Sequence, residues 1–292
     1  MSLDLPLVFA ALMGLAILMY VVLDGYDLGV GMLMPAADER EQDVMVASIG
    51  PFWDANETWL VLGVGILLVA FPAAHGLVLG ALYLPVAAML VGLMLGRYVT
   101  GFHPGFGYYL FAMLVGASLC GGYVLLGATW LILKTEGELQ KKALAWARWG
   151  LLWVALGVAL VSLATPLVSH TVQAKWFDFP RTLALMLLPL ATVAAGWMVW
   201  AATGRLKRGE REFDWMPLAA TVAIFTLAFA GLAYSLFPYV VIDRMTIREA
   251  AAHPSALKFM LVGVAIVFPF LIGYTVFAYR VFRGKARAGM YE

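Results

Sequence analysis

Apolar runs of membrane-spanning length recur along this chain, with short polar stretches between them. A bilayer's hydrocarbon core takes roughly 20 mostly apolar residues as a helix. Eight runs qualify, at 5–34, 56–72, 76–95, 107–133, 149–168, 182–202, 216–238 and 257–280. No barrel-like alternation of apolar and polar positions appears in them. Open strand edges do not survive in lipid, so the spans read as helices. The polar connections are PAADEREQDVMVASIG (35–50), KTEGELQKKALAWAR (134–148), SHTVQAKWFDFPR (169–181), GRLKRGEREFDW (204–215) and the stretch from Asp243 to Ser255. They have room only for turns or strips of interfacial helix. The pattern predicts an all-α polytopic membrane protein: one integral membrane domain over 1–292, with an N-terminal bundle at 1–133 and a C-terminal bundle at 149–280.

Composition agrees. The chain is 63% hydrophobic and 13% charged, with mean hydropathy +0.90. A soluble domain would be about half apolar and about a quarter charged. No basic patch suggests nucleic acid. The single cysteine, Cys120 in GASLCGG, excludes an internal disulfide and any cysteine-based metal cluster, and reads as a small packing residue. The first residues, MSLDLPLVFAALMG, lack the basic start and small-residue cleavage site of a secretory signal, so the first run reads as a retained helix.

Basic residues orient a membrane protein, because Lys and Arg accumulate on the cytoplasmic side. Lys134, Lys141, Lys142 and Arg148 follow the fourth span. Arg205, Lys207, Arg208 and Arg211 follow the sixth. Arg280, Arg283, Lys285 and Arg287 form the tail. These are twelve of the 19 basic residues, and they put the tail in the cytoplasm. With eight helices, parity puts the N-terminus there too.

Two stretches place carboxylates where hydrocarbon makes them costly. In LDGYDLGVGML (23–33), Asp24 and Asp27 are three apart and share one helical face. Gly25 and Gly29 form a small-xxx-small pair, followed by Gly31, which admits a close neighbouring helix. The acidic pair is then either a frayed helix end among headgroups or a polar face shared with a neighbouring helix or subunit. In GPFWDANETWLVLG (50–63), Pro51 suits a helix start, and Trp53 and Trp59 are placed like interfacial aromatics. Asp54 and Glu57 have the spacing of a capping box, with Asp54 as the cap. A rim carboxylate with that spacing can also pass protons inward. Asn56 lies between them. His75, His103, His170 and His253 fall near turns or loops and form no helical pair of the kind that holds two haems. The 15 methionines read as core filler.

Four stretches, LDGYDLGVGML, GPFWDANETWLVLG, LLGATWLILKTEGELQ and FPFLIGYTVFAYRVFRGK, resemble subunit II of the cytochrome bd quinol oxidases, closest to the cyanide-insensitive branch. The likeness covers most of the chain in order, and the second motif is its most specific part. It implies an accessory, non-haem subunit of a membrane complex that oxidises quinol and reduces oxygen to water. It implies proton uptake from the cytoplasm and residence in the bacterial cytoplasmic membrane. No cofactor would be bound directly by this chain. Haem b and haem d (or b) would sit in the partner, the haem-bearing subunit I. A small single-helix subunit and a buried quinone or lipid are further features the family allows. By resemblance, Asp54 would stand at a cytoplasmic proton entrance with Glu57 in support, and Trp59 would line an oxygen route. Asp24, Asp27, Trp53 and Asn56 would serve the polar interior and subunit packing.

The chain departs from this family in one place. The third span ends AMLVGLM and runs directly into LGRYVTGFHPGF, so relative to that family a loop and about one helix are missing after Met94. The family places residues 35–50 in the cytoplasm, whereas eight helices with a cytoplasmic tail place them outside. Two rival readings stay open at this stage: a structural paralogue that binds subunit I without turnover, and a stand-alone secondary transporter.

Overall fold

A computed structural model describes residues 4–76, 78, 91–102 and 105–286. The first helix, α1 (Leu5–Leu33), starts at Asp4, whose carboxylate accepts from the Leu7 amide, with Pro6 in the first turn. After a 3-10 turn comes α2 (Glu39–Ile49), opened by a capping box in which Asp38 and Glu41 bond each other's backbone N–H. Then follow α3 (Trp53–Ala70), α4 (Val91–Val99), α5 (Phe106–Lys134) and α6 (Gly137–Val168). A two-residue break separates α5 from α6, and Gly137 takes the left-handed conformation (φ +69°) that the reversal needs. The chain continues through α7 (His170–Trp176), α8 (Arg181–Leu185), α9 (Leu187–Lys207) and α10 (Met216–Leu236). A small antiparallel hairpin, β1 (Tyr239–Val241) with β2 (Met245–Thr246), then leads through α11 (Ile247–Ala250) into α12 (Pro254–Val281).

Among the described residues seven helices are long and apolar enough to cross a membrane. They correspond to seven of the eight expected spans. The expected span at 76–95 lies mostly outside the described residues, and α4 is its described end.

The connection expected at 134–148, as turn or interfacial helix, is from Gly137 onward continuous with the span that follows and forms the first turns of α6. Its Leu139, Ala143, Leu144 and Ala147 are buried, a stripe at helical spacing, while Lys141 and Lys142 point outward. At 32 residues α6 is about 48 Å long, more than the hydrocarbon thickness, so its charged start stands clear of the bilayer.

The two ends of the bundle are laced by different contacts. At one end Lys142 on α6 pairs with Glu41 on α2 at 2.7 Å, and Lys285 in the tail pairs with Asp214 between α9 and α10 at 2.6 Å. At the other end Asp4 pairs with Arg248 at 2.9 Å, the Ala252 amide donates to Ala70 O at 2.7 Å, and Thr171 donates to Asp243 at 2.6 Å. The N-terminus and the tail therefore lie at opposite ends. This corrects the parity drawn from eight helices. Ala70, Phe71, Ala74 and Phe102 share one buried cluster with Val240 and Val241, so the chain leaves α3 and enters α5 at the same end. Residues 35–50 and the basic connections share the other end, which the excess of Lys and Arg marks as cytoplasmic.

The tightest crossing joins α1 to α5. A Cβ on Gly29 would overlap the Tyr123 carbonyl oxygen, and one on Gly127 would overlap the Gly29 carbonyl carbon. Gly25 has Tyr123 and Leu126 at 3.0 Å from the same hypothetical Cβ, whereas Gly31 has open space. The small-xxx-small pair thus does what its spacing predicts, and Gly31 takes no part.

Gly29→Ala should lower the thermal stability of the purified protein by about 3 kcal/mol or more, because backbone rather than a mobile side chain blocks the methyl. Gly31→Ala should leave the melting temperature within about 1 °C, since nothing stands in its way. Cysteines introduced at Glu39 and at Arg248, tested with an impermeant thiol reagent in intact cells, should label only at 248.

Candidate functional site

Helix α3 starts without a side-chain cap: Phe52 occupies the capping position, and Trp53 is already helical. Asp54 is therefore inside the first turn and not the cap that its spacing with Glu57 suggested. The capping box of this region belongs to Asp38 and Glu41, on the preceding helix. Asp54 is left free for another use, and its Oδ2 accepts a hydrogen bond from Tyr274 Oη on α12 at 3.1 Å. Both side chains are exposed on the flank of the bundle, as are Glu57 and Trp53.

The opposite face of the same helical turn is buried. Asn56, fully buried, faces α1 and α12. Its Nδ2 donates at 2.8 Å to Asp27 Oδ2 and at 2.8 Å to Tyr26 Oη, with Leu23 O a longer contact at 3.2 Å. Its Oδ1 accepts from Tyr279 Oη at 3.1 Å, and the two tyrosine oxygens are 2.6 Å apart. The donor inventory fixes the direction of every bond. Tyr279 spends its one hydrogen on Asn56 Oδ1, so Tyr26 must donate to Tyr279. Asn56 Nδ2 then supplies one hydrogen to Tyr26 and the other to Asp27. The result is a closed ring, Asn56 to Tyr26 to Tyr279 and back to Asn56, with Asp27 hung from it. Every polar atom of the ring is satisfied, which a buried network requires. Among the described residues Asp27 Oδ1 is the one buried side-chain nitrogen or oxygen with no hydrogen-bond partner.

An aromatic wall holds this ring. Tyr26 stacks on Trp130 of α5 with centroids 4.0 Å apart, which the close crossing at Gly29 and Gly127 allows. Phe52 meets Trp130 edge-on at 5.3 Å and Tyr279 at 4.7 Å. Trp130 Nε1 donates to Ser48 O at 3.2 Å, tying α2 to the wall. One turn further into the membrane Trp59, 2% exposed, donates Nε1 to Thr275 Oγ1 of α12 at 3.2 Å and packs against Phe268.

The structure thus brings Asp27 and Asn56 together in the interior, where Asp24 is half-buried one turn before Asp27. Asp27 meets the neighbouring helix α3 through Asn56. Asp54 and Glu57 stand apart from it on the outer flank. Tyr26, Tyr279, Tyr274, Thr275 and Trp130 were not singled out in the sequence. A signal existed: Thr275 and Tyr279 are four apart on an otherwise apolar span, so they share one face. Among the described residues no three His, Cys, Asp or Glu side chains gather as a metal site.

Membrane-length helices with a polar ring buried near one end and carboxylates on the flank define a polytopic helical membrane protein that carries charge which lipid does not cover well. The chain belongs to the cytochrome bd terminal oxidase subunit II family, whose pattern it matches over residues 5–102 and 86–282. It is 26% identical over 324 aligned positions to cytochrome bd ubiquinol oxidase subunit 2 of Bacillus subtilis, covering 91% of this chain and 92% of the relative. It is 23% identical over 352 positions to cytochrome bd-I ubiquinol oxidase subunit 2 of Escherichia coli K12, covering 92% and 91%. In fold it is similar to a chain of the bd oxidase from Geobacillus thermodenitrificans, with TM-score 0.65, 16% identity and coverage of 96% and 99%. Both sequence alignments are longer than the 292 residues of this chain, so the relatives carry residues that it lacks. The two matched stretches overlap at 86–102, which contains Met94, after which the sequence places the loss.

Asn56→Ala should destabilise the protein by about 3 kcal/mol, because it leaves the Asp27 carboxyl without its donor and the Tyr279 hydroxyl hydrogen without its acceptor in the interior. Tyr279→Phe, which removes one hydroxyl from the ring, should cost about 1 kcal/mol. Thermal unfolding of the two purified variants checks the order.

Proposed function

We propose that this chain is the non-haem subunit II of a bd-type quinol:oxygen oxidoreductase in the bacterial cytoplasmic membrane, and that it works only beside a haem-bearing subunit I. The observation that carries the proposal is the flank of α3 and α12. Asp54, Glu57 and Trp53 stand exposed there, next to a groove of about 450 Å³ lined by Pro269, Phe270, Gly273, Tyr274 and Phe277. Charge on the outer face of a span needs a protein neighbour, and subunit I supplies it.

On this reading haem b and haem d (or b) would belong to subunit I and supply the oxygen-reducing chemistry. Asp54 takes the role of proton entry. Its Oδ2, held by Tyr274, receives a proton at the cytoplasmic rim and releases it along the subunit boundary. Glu57, one turn deeper on the same exposed side, is the next acceptor. Asn56 fixes the rotation of α3 by its bonds to Asp27, Tyr26 and Tyr279, and so keeps Asp54 and Glu57 turned outward. Trp59 keeps the seam between α3 and α12 apolar, a route suited to oxygen.

The rivals fare worse. A secondary transporter places charges and broken helices near the midplane. Here the polar ring is at the cytoplasmic end. A paralogue without turnover differs from the proposal in activity alone. Co-expression of the tagged chain with a candidate haem-bearing subunit decides. Haem bands in the reduced-minus-oxidised spectrum with quinol-driven oxygen uptake support the proposal. Haem bands without uptake favour the silent paralogue. A stable, colourless, solitary chain sinks the oxidase reading. In an active complex Asp54→Asn should lower turnover about tenfold with haem content unchanged. Full turnover in that variant would leave Asp54 only its bond to Tyr274.

A further inference from the structure

Helix α5 ends with four carbonyls that have no partner inside the helix. Each finds one elsewhere. Leu131 O accepts from Thr135 N at 2.9 Å and Thr135 Oγ1 at 2.6 Å. Ile132 O accepts from Gln140 Nε2 at 2.9 Å. Leu133 O accepts from Lys285 Nζ at 2.8 Å, and Lys134 O from the Ala286 amide at 2.7 Å. Half of the cap on α5 therefore comes from the short strap that follows α12. Lys134 returns the contact by donating Nζ to Phe282 O at 2.7 Å. Lys285 also meets Asp214 at 2.6 Å, which fastens the strap to the connection between α9 and α10. An ammonium group at a helix C-terminus is favoured by the helix dipole as well.

The strap and the polar ring share neighbours. Tyr279, which closes the ring on Asn56, stands less than one helical turn before Phe282. Phe52 lies 4.7 Å from the Tyr279 ring and 6.1 Å from the Phe282 ring. The Lys134 ammonium sits over Phe52 at 4.9 Å and over Trp130 at 5.4 Å.

Helix α12 meets this chain along one side only: Phe259 is 84% exposed and Phe270 75%. Its axial position is set by the contacts on that side, Thr275 with Trp59 and Tyr279 with Asn56, and by what holds its two ends. A slide of one residue shifts a side chain by about 1.5 Å and turns it by about 100°, which is enough to take Tyr279 off Asn56.

We propose that Lys285 is a positioning residue: through the strap 282–286 it sets the axial position of α12 so that Tyr279 holds Asn56. Its effect on turnover rests on the subunit II reading; its effect on α12 does not. Lys285→Met keeps the apolar stem and removes the donors, and Lys285→Arg keeps them.

The test uses the complex purified with the haem-bearing subunit. Hydrogen exchange is followed in peptides covering 276–286 and 130–136. Lys285→Met should exchange about tenfold faster there than the parent, and Lys285→Arg should stay within about threefold, in line with the loss or retention of a charge-assisted hydrogen bond. Turnover is then compared for Lys285→Met, Tyr279→Phe and the double variant. If Lys285 acts through Tyr279, the double variant is no slower than the slower single. Unchanged exchange in Lys285→Met overturns the proposal, and so do losses of turnover that multiply. Faster exchange in a complex that never takes up oxygen would uphold the strap and sink the subunit II reading instead.

Discussion

Water is absent from most of this protein's surroundings, so each polar group in the bundle must find a partner made of protein. The polar ring of Asn56, Tyr26 and Tyr279 satisfies that constraint, and three helices depend on it. It joins α1, α3 and α12, which are far apart in sequence, by hydrogen bonds whose directions admit one arrangement. The ring in turn needs the crossing of α1 and α5. Only glycine at 29 and 127 lets the two backbones meet, and only that approach puts Trp130 against Tyr26 at 4.0 Å.

From this follows the division between inside and outside that gives the flank its chemistry. Asn56 and Trp59 are buried, whereas Asp54 and Glu57, on the same helix, are exposed. A helix rotates its residues by about 100° each, so fixing one face fixes the other. The bond from Asn56 to Asp27 therefore helps determine where the flank carboxylates stand. Fixing Asn56 from α12 through Tyr279 links the cytoplasmic tail to the same rotation.

Topology settles a question that charge counting left in conflict. The loop 35–50, the start of α6 and the tail share one end of the bundle, as the contacts Lys142–Glu41 and Lys285–Asp214 show. The acidic stretches at Asp24 and Asp54 thus belong to the basic, cytoplasmic end. The chain reaches this arrangement although its relatives carry residues that it lacks.

The sequence by itself determined the class, seven of the spans and the family. Apolar runs longer than a bilayer core have few alternatives, and the spacing of Gly25 and Gly29 announced a close helix crossing because small residues have one such use. It also marked Asp24, Asp27, Asp54 and Asn56 as residues that need a reason. Local spacing misassigned Asp54 as a cap, since a capping box is written in four residues and takes no account of where the helix begins. It read 134–148 as a linker, since charge hides a buried stripe when the facing helix is unknown. Only the tertiary structure decided which polar groups meet: Tyr279 reaches Asn56 across 223 positions of chain, and no local pattern encodes a contact that two distant helices make by packing.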